Sequence, residues 1–273
     1  MSKIYDVYGV GHALVDVQYS VPVQFLQSTG VDKGVMTLVD DRRQEALLAA
    51  LDRDPLASAS GGSAANTMIG VALFGGRAYY ACEIGDDSWG DFYSEDLRKA
   101  GVESNPANRR KGRTGRCMVF VTPDADRTLN TYLGVSGQIG PAQLEEEKIA
   151  ESSYIYMEGY LLSSDDGFEA CCTAQQLARK HDTNVSLTLS DPFMVESFKE
   201  RFAQVILDGV DLLFCNESEA MAYCANSKRD EACTHLAATV GSVCITCGSE
   251  GALLANTDFC HQVPGIEIEA MDT

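Results

Sequence analysis

Basic residues are scarce in this sequence: 21 Lys and Arg stand against 40 Asp and Glu, a formal charge of -19 over 273 residues. A surface so acidic repels nucleic-acid phosphates and anionic lipid headgroups, so no nucleic acid and no membrane is expected as a partner. No run of 18 uncharged apolar residues occurs, and Met1 to Gly11 holds no basic segment leading into an apolar one. Neither a membrane span nor a secretory leader is therefore expected, and the protein reads as cytoplasmic. Gly-Lys-Ser/Thr is missing, which excludes a P-loop. His12, His181, His235 and His261 form no His-Glu-x-x-His pair, and Cys244-Ile-Thr-Cys247 has no second pair at zinc-site spacing, so zinc chemistry is excluded as well. The ten Cys amount to about 4% of the chain, below the ~8–10% of disulfide scaffolds. They lie in apolar runs and are expected to be reduced and buried. Repeats and low-complexity tracts are absent too.

What is present has the balance of a globular protein, long enough for one large α/β domain with an appendage. Short apolar or β-branched runs at Ile4–Val10, Ala78–Ile84, Tyr154–Met157, Val185–Leu189, Leu212–Cys215 and Val243–Thr246 read as buried strands. Between them, segments of helical period run over Arg42–Leu51, Ala64–Phe74, Phe92–Ala100, Phe168–Lys180, Ser197–Leu207 and Glu231–Val240. That alternation predicts βαβ units, hence an α/β fold with a Rossmann-like, mostly parallel sheet covered by helices on both faces. Ala13–Leu38 and Arg113–Tyr132 break the pattern with paired strand-like runs, the latter turning at Thr122-Pro123-Asp124-Ala125-Asp126. Both are expected to be β-hairpins forming a small antiparallel β lid. Residues 1–12, 39–112 and 134–273 are assigned to the core, and 13–38 and 113–133 to the lid.

Four constellations carry candidate chemistry. Gly61-Gly62 opens a helix with Asn66 one turn inside, where a ligand could approach the backbone; a plain tight turn would read the same way. Asn216 and Glu219 follow a strand and share one helix face, which suits either a hydrated Mg²⁺ beside phosphates or a simple capping box. In Thr246-Cys247-Gly248-Ser249-Glu250-Gly251, two glycines shape a loop at a strand's C-terminal end, the place where α/β sheets bind ligands, or an ordinary β-turn. Asp16 stands among apolar neighbours and could grip a vicinal diol. Gly9-Val10-Gly11 begins a dinucleotide fingerprint, but Leu14 occupies its third glycine position and a strand-like run follows, so that reading fails.

Taken in order, Asp16, Gly61-Gly62…Asn66, Asn216-x-x-Glu219, Thr246-x-Gly248-x-x-Gly251 and a closing Asp272-Thr273 resemble the ribokinase-like (PfkB) kinases of sugars and nucleosides over the whole chain. Lys33-Gly34-Val35-Met36 and Leu133-Gly134-Val135-Ser136 look more like the adenosine-kinase branch. The resemblance implies ATP-dependent phosphorylation of a hydroxymethyl group on a sugar or nucleoside, with ATP, Mg²⁺ and K⁺. Asp16, Gly61, Gly62 and Asn66 would hold substrate hydroxyls, and Glu158 would be either a substrate-contacting acid or a buried acid paired elsewhere. Asn216 and Glu219 would orient Mg²⁺, Glu219 through water; Thr246, Gly248 and Gly251 would line the nucleotide, and Asp272 would help hold the monovalent cation. Met36, Phe120 and Tyr132 are candidates for an apolar wall beside a base, although packing in the lid's own core is the better expectation for each, and the lid is a candidate homodimer surface. The family's Gly-Ala-Gly-Asp segment, with its catalytic Asp, is expected beyond Thr273, so the chain alone is expected to be inactive. A non-catalytic sugar- or nucleoside-binding protein of the same fold is the alternative.

Overall fold

The computed structural model describes residues 3–267, so Asp272 lies outside the described residues. The larger sheet has nine strands in the order Cys260–Val263, Ala252–Ala255, Ser242–Thr246, Leu212–Asn216, Asn184–Thr188, Ser152–Glu158, Tyr5–Val10, Ala78–Ala81, Val102–Ser104. From Ser242–Thr246 onward every neighbouring pair is parallel, whereas the first two strands run antiparallel.

Period-two alternation explains how both faces are covered. Tyr8, Val10, Ile155, Met157, Leu187, Leu213 and Ile245 point to one face, into a core with Phe202, Val205 and Leu236. Ala78, Tyr80 and Tyr156 point to the other, against Ala64, Ala65, Met68, Tyr93 and Leu97. The helix Ser63–Leu73 crosses that second face at Gly9, where a Cβ would stand 2.7 Å from the Met68 side chain. From Tyr5–Val10 the chain builds outward first through Ala78–Ala81 and later through Ser152–Glu158. The strand order therefore reverses at Tyr5–Val10, and a crevice opens at the carboxyl ends of Tyr5–Val10 and Ser152–Glu158.

A second, five-stranded sheet sits apart in the order Met36–Leu38, Arg127–Tyr132, Gly115–Val121, Leu14–Ser20, Ala57–Gly61. Arg113–Tyr132 is a hairpin as expected; its turn closes with Thr122 N–H donating to the Asp126 carbonyl at 3.1 Å. Ala13–Leu38 is not a hairpin. Leu14–Ser20 pairs in parallel with Gly115–Val121, and Met36–Leu38 in parallel with Arg127–Tyr132. Pro22 ends the first strand, and a seven-residue helix, Val23–Thr29, follows and stops at Gly30 in the left-handed region. So short a helix, with Leu26 as its one buried residue, shows no helical period. Ala57–Gly61 comes from a segment assigned to the core and pairs antiparallel with Leu14–Ser20.

The helix Asp41–Ala50, capped by Asp40 accepting from Arg43 N–H at 2.7 Å, covers the outer face of this sheet. Leu47 packs there with Val15, Val17 and Phe120, so Phe120 faces away from the crevice. Ala78–Ile84 is not one strand either: it ends at Ala81, and Ile84-Gly85 pairs with Arg109-Arg110 instead. Buried Glu83 lies between them and accepts from Arg110 Nε at 2.6 Å, a carboxylate no strand interior could hold unpaired. All ten cysteines are free thiols, with Cys260 exposed. Among the described residues no helix is long and apolar enough to cross a membrane.

Gly251 stands at φ +93, and a Cβ there would lie 2.0 Å from the Val263 carbonyl oxygen. Gly251→Ala is therefore expected to peel Cys260–Val263 from its neighbour, speeding amide hydrogen exchange at His261, which pairs with Leu254, while Ser152–Glu158 stays protected. Equal protection of His261 in both proteins would contradict this.

Candidate active site between the two sheets

A cavity of about 650 Å³ occupies the crevice. Its roof is one face of the small sheet. Asp16 pairs with Cys117, Cys117 with Thr131, Thr131 with Leu38, and Leu129 with Met36, so register alone puts these side chains on a common face. Its floor is the carboxyl edge of the large sheet, where His12, Gly62, Ser63, Asn66 and Glu158 line it, with Tyr160, Asp191, Phe193 and Met194 at one end. Met36 lines this cavity, whereas Phe120 packs in the core as the lid's own packing requires.

Glu158 organises the floor. Its side chain is 1% exposed. Oε1 accepts from His12 backbone N–H at 2.8 Å and lies 2.7 Å from His12 Nδ1, while Oε2 accepts from Ala64 N–H at 2.8 Å. Ala64 is in the first turn of the helix Ser63–Leu73, whose cap, Gly62, has no side chain to offer. The carboxylate therefore satisfies one of that helix's orphan donors and sits where the macrodipole favours negative charge. Both oxygens of Glu158 accept hydrogen bonds within the chain, so it is a buried, paired acid, and it also lines the cavity. Gly11 leaves it room, since a Cβ there would stand 2.5 Å from Oε2.

Two fully buried tyrosines fix the loops above. Tyr80 Oη donates to the His12 carbonyl and Tyr93 Oη to the Gly61 carbonyl, each at 3.0 Å. Nothing in the sequence distinguishes them from ordinary core tyrosines. Gly62 adopts φ +101 with its α-carbon against the His12 carbonyl, 2.3 Å from where a Cβ would be. At this position the diglycine is a steric requirement.

Asp16 hangs from the roof against Gly61, where a Cβ would meet its carboxyl carbon at 2.3 Å. Burial raises its pKa to about 6, with the Arg127 charge acting in the opposite direction. Asn66 is exposed on the floor of the same cavity, so Asp16 and Asn66 line one space.

Farther along the same edge, Asn216 and Thr246 are lateral neighbours at the ends of adjacent parallel strands. Asn216 and Glu219 form a capping box: Glu219 N–H donates to Asn216 Oδ1 at 2.8 Å, and Asn216 N–H to Glu219 Oε2 at 3.0 Å. Glu219 is buried, and that burial raises its pKa; the Asn216 N–H opposes the shift and the charge of Asp191 adds to it. Asp191 lies in the cavity lining, so its field reaches from the cavity to this corner. Its sequence context, Asp-Pro before a helix, signals only a cap, and Asp191 Oδ1 does accept from Phe193 N–H at 2.7 Å. Ser190, just before it, is held at φ +71, an unfavourable conformation for a non-glycine residue. Gly248 and Gly251 flank a single turn, Gly248–Glu250, joining two antiparallel strands. Arg229 ties the two corners together, bonding Glu217 at 3.0 Å and Glu250 at 2.8 Å. Among the described residues no group of three His, Cys, Asp or Glu could hold a bare metal ion. Asp191 and Glu219 suit a cation that keeps most of its water, the usual habit of Mg²⁺.

Because the folded pKa of Asp16 lies above its ordinary value of 3.8, the stability this carboxyl contributes is complete below pH 3.8 and lost as pH rises through 6. Asp16→Asn, which cannot ionise, is expected to be more stable than the parent at pH 7.5, by on the order of 3 kcal/mol at most, and to match it near pH 4. Urea denaturation at the two pH values checks this; a gap independent of pH would contradict it.

Comparison with known proteins agrees with this geometry. A family model described as pfkB family carbohydrate kinase matches residues 55–273. The adenosine kinase of Saccharomyces cerevisiae is 28% identical over 237 residues, covering 84% of this chain and 68% of that protein. Among solved structures, an adenosine kinase from Sinorhizobium meliloti is 34% identical with a TM-score of 0.91, covering 98% of this chain and 83% of its own. A probable sugar kinase protein from Rhizobium etli is also 34% identical, with a TM-score of 0.92 over 100% of this chain and 83% of its own. The fold is thus shared with the two solved structures over 98% and 100% of this chain, and the protein belongs to the pfkB carbohydrate kinase family.

Proposed function

We propose that the site of this protein serves transfer of the γ-phosphoryl group of ATP to the hydroxymethyl group of a nucleoside, with ADP leaving and the aspartate of the expected Gly-Ala-Gly-Asp segment taking the hydroxyl proton. The observation that carries the choice of nucleoside over simple sugar is the lining of the cavity. Asp16 and Asn66 line the cavity together with Met36, Leu38, Leu129, Leu133, Phe193 and Met194, an apolar set suited to a base rather than to sugar hydroxyls. Phe193 is 70% exposed, an aromatic face without an intramolecular stacking partner among the described residues. The similar adenosine kinases support the same reading.

In this scheme Asp16, as the carboxylate, accepts hydrogen bonds from two neighbouring ribose hydroxyls, and Asn66 and the Gly61-Gly62 backbone hold the ring from below. Fixing the sugar turns its hydroxymethyl oxygen toward the corner formed by Asn216, Glu219 and Thr246, where the phosphates lie, so orientation supplies much of the rate. Gly248 and Gly251 leave the nucleotide a side-chain-free approach. Mg²⁺, held through water by Glu219 and Asp191, would neutralise charge on the phosphate oxygens when bound. Asp272 is proposed to help hold K⁺.

Binding of adenosine, inosine, ribose and fructose, measured by calorimetry beside a MgATP transfer assay with the same compounds, tests the proposal. Nucleosides are expected to bind at least about tenfold more tightly than ribose, since burying a base is worth roughly 1.5–3 kcal/mol or more. Affinity should rise between pH 5 and 7 as Asp16 ionises, and Asp16→Asn should remove that rise. Equal affinity for ribose and nucleosides would overturn the base subsite, and neither binding nor transfer across the panel would overturn the kinase reading.

A further inference from the structure

We propose that His12 is a specificity-determining residue in the cavity floor, its Nε2 lone pair held open by Glu158 to accept a hydrogen bond from a hydroxyl or amino group of the bound substrate. The inference rests on the nucleoside-kinase reading and names a further contact in the same site.

The His12 side chain is 4% exposed, yet it lines the cavity. Its Nδ1 lies 2.7 Å from Glu158 Oε1, and the His12 backbone N–H donates to the same oxygen at 2.8 Å. These two contacts from one residue to one oxygen fix the ring's rotation. A carboxylate offers acceptors alone, and the other oxygen already receives Ala64 N–H, so the proton between ring and carboxylate belongs to Nδ1. With the ring neutral, as proposed, that N–H is its single one and Nε2 is left as an acceptor. No hydrogen bond to Nε2 is made by any described residue, and Nε2 is not sealed away from the cavity.

The floor therefore presents one acceptor whose direction is set before any ligand arrives. Rotation cannot convert it into a donor without breaking the Glu158 contact. A substrate that brings a donor to this point satisfies it, while an analogue lacking the donor leaves a buried lone pair unpaired, a penalty that makes such sites strongly discriminating. Glu158 acts through His12 and is a positioning residue.

Two measurements test this. Nitrogen-detected NMR of the ligand-free chain is expected to show His12 protonated at Nδ1 with a bare Nε2, and Glu158→Gln to produce a mixture of tautomers; an Nε2-protonated ring in the parent protein would overturn the proposal without any ligand. Binding of adenosine, its 2′-deoxy and 3′-deoxy analogues and the purine riboside lacking the 6-amino group is then compared in the parent, His12→Phe and His12→Asn. The parent should disfavour one analogue by about tenfold or more. In His12→Phe the discrimination against that analogue should fall by about tenfold or more, leaving only what Asp16 contributes at the ribose hydroxyls, and His12→Asn, which keeps an acceptor, should recover part of the difference. Discrimination unchanged in His12→Phe would overturn the role of His12 while leaving adenosine binding, and so the kinase reading, intact. A parent chain that binds none of the nucleosides would overturn both.

Discussion

A single buried carboxylate decides whether the cavity has a floor. Glu158, at the end of a central strand, accepts from His12 in the loop after Tyr5–Val10 and from the first turn of the helix Ser63–Leu73. Three pieces of chain far apart in sequence are thereby brought to one point. Charge taken so far out of water is tolerated only because each oxygen meets N–H donors and a helix terminus. Tyr80 and Tyr93 complete the arrangement by binding the carbonyls of the same loops, and so the positions of Gly62, Asn66 and the cavity wall follow from it.

The acidic composition bears on the site in a way that net charge alone would mislead about. Forty acidic side chains set a repulsive field for anions at long range, but salt screens that field within about 8 Å at physiological strength. On the proposed reading, what a phosphate would meet at the carboxyl edge is local: backbone N–H groups at the starts of helices, the Thr246 hydroxyl and a cation held through water by acids. Burial raises the pKa of both Asp16 and Glu219. Each sits where a neutral or cationic ligand group would restore what desolvation takes away.

Much of the fold was legible because strands buried on both faces leave apolar runs, and the helices between them keep their period. The central strands from Tyr5–Val10 to Ser242–Thr246 were each found within a few residues. What escaped had weak local signals. Ala57–Gly61 is built of alanine, serine and glycine and owes its strand to pairing with Leu14–Ser20. Val23–Thr29 is too short for a period, and Ala252–Ala255 and Cys260–Val263 form an exposed edge whose pairing is set by the turn at Gly251. At the site, Asp16 and Asn66 were readable because a carboxylate in an apolar run and an asparagine behind a diglycine are locally unusual. Asp191, Tyr80 and Tyr93 were not, since an aspartate before a proline and two tyrosines in apolar segments look the same with or without a ligand nearby. Glu158 was found but its partners were not, because they lie 94 and 146 residues away.

The account stands on Glu158 as the tie between strand, loop and helix, and its replacement by alanine puts that to the test most directly. Urea denaturation of Glu158→Ala at neutral pH should show a loss on the order of 3 kcal/mol or more, from three N–H donors stranded in the interior. Accelerated amide exchange at His12 and Ala64 should accompany it. A variant as stable as its parent, with both amides still protected, would contradict the account.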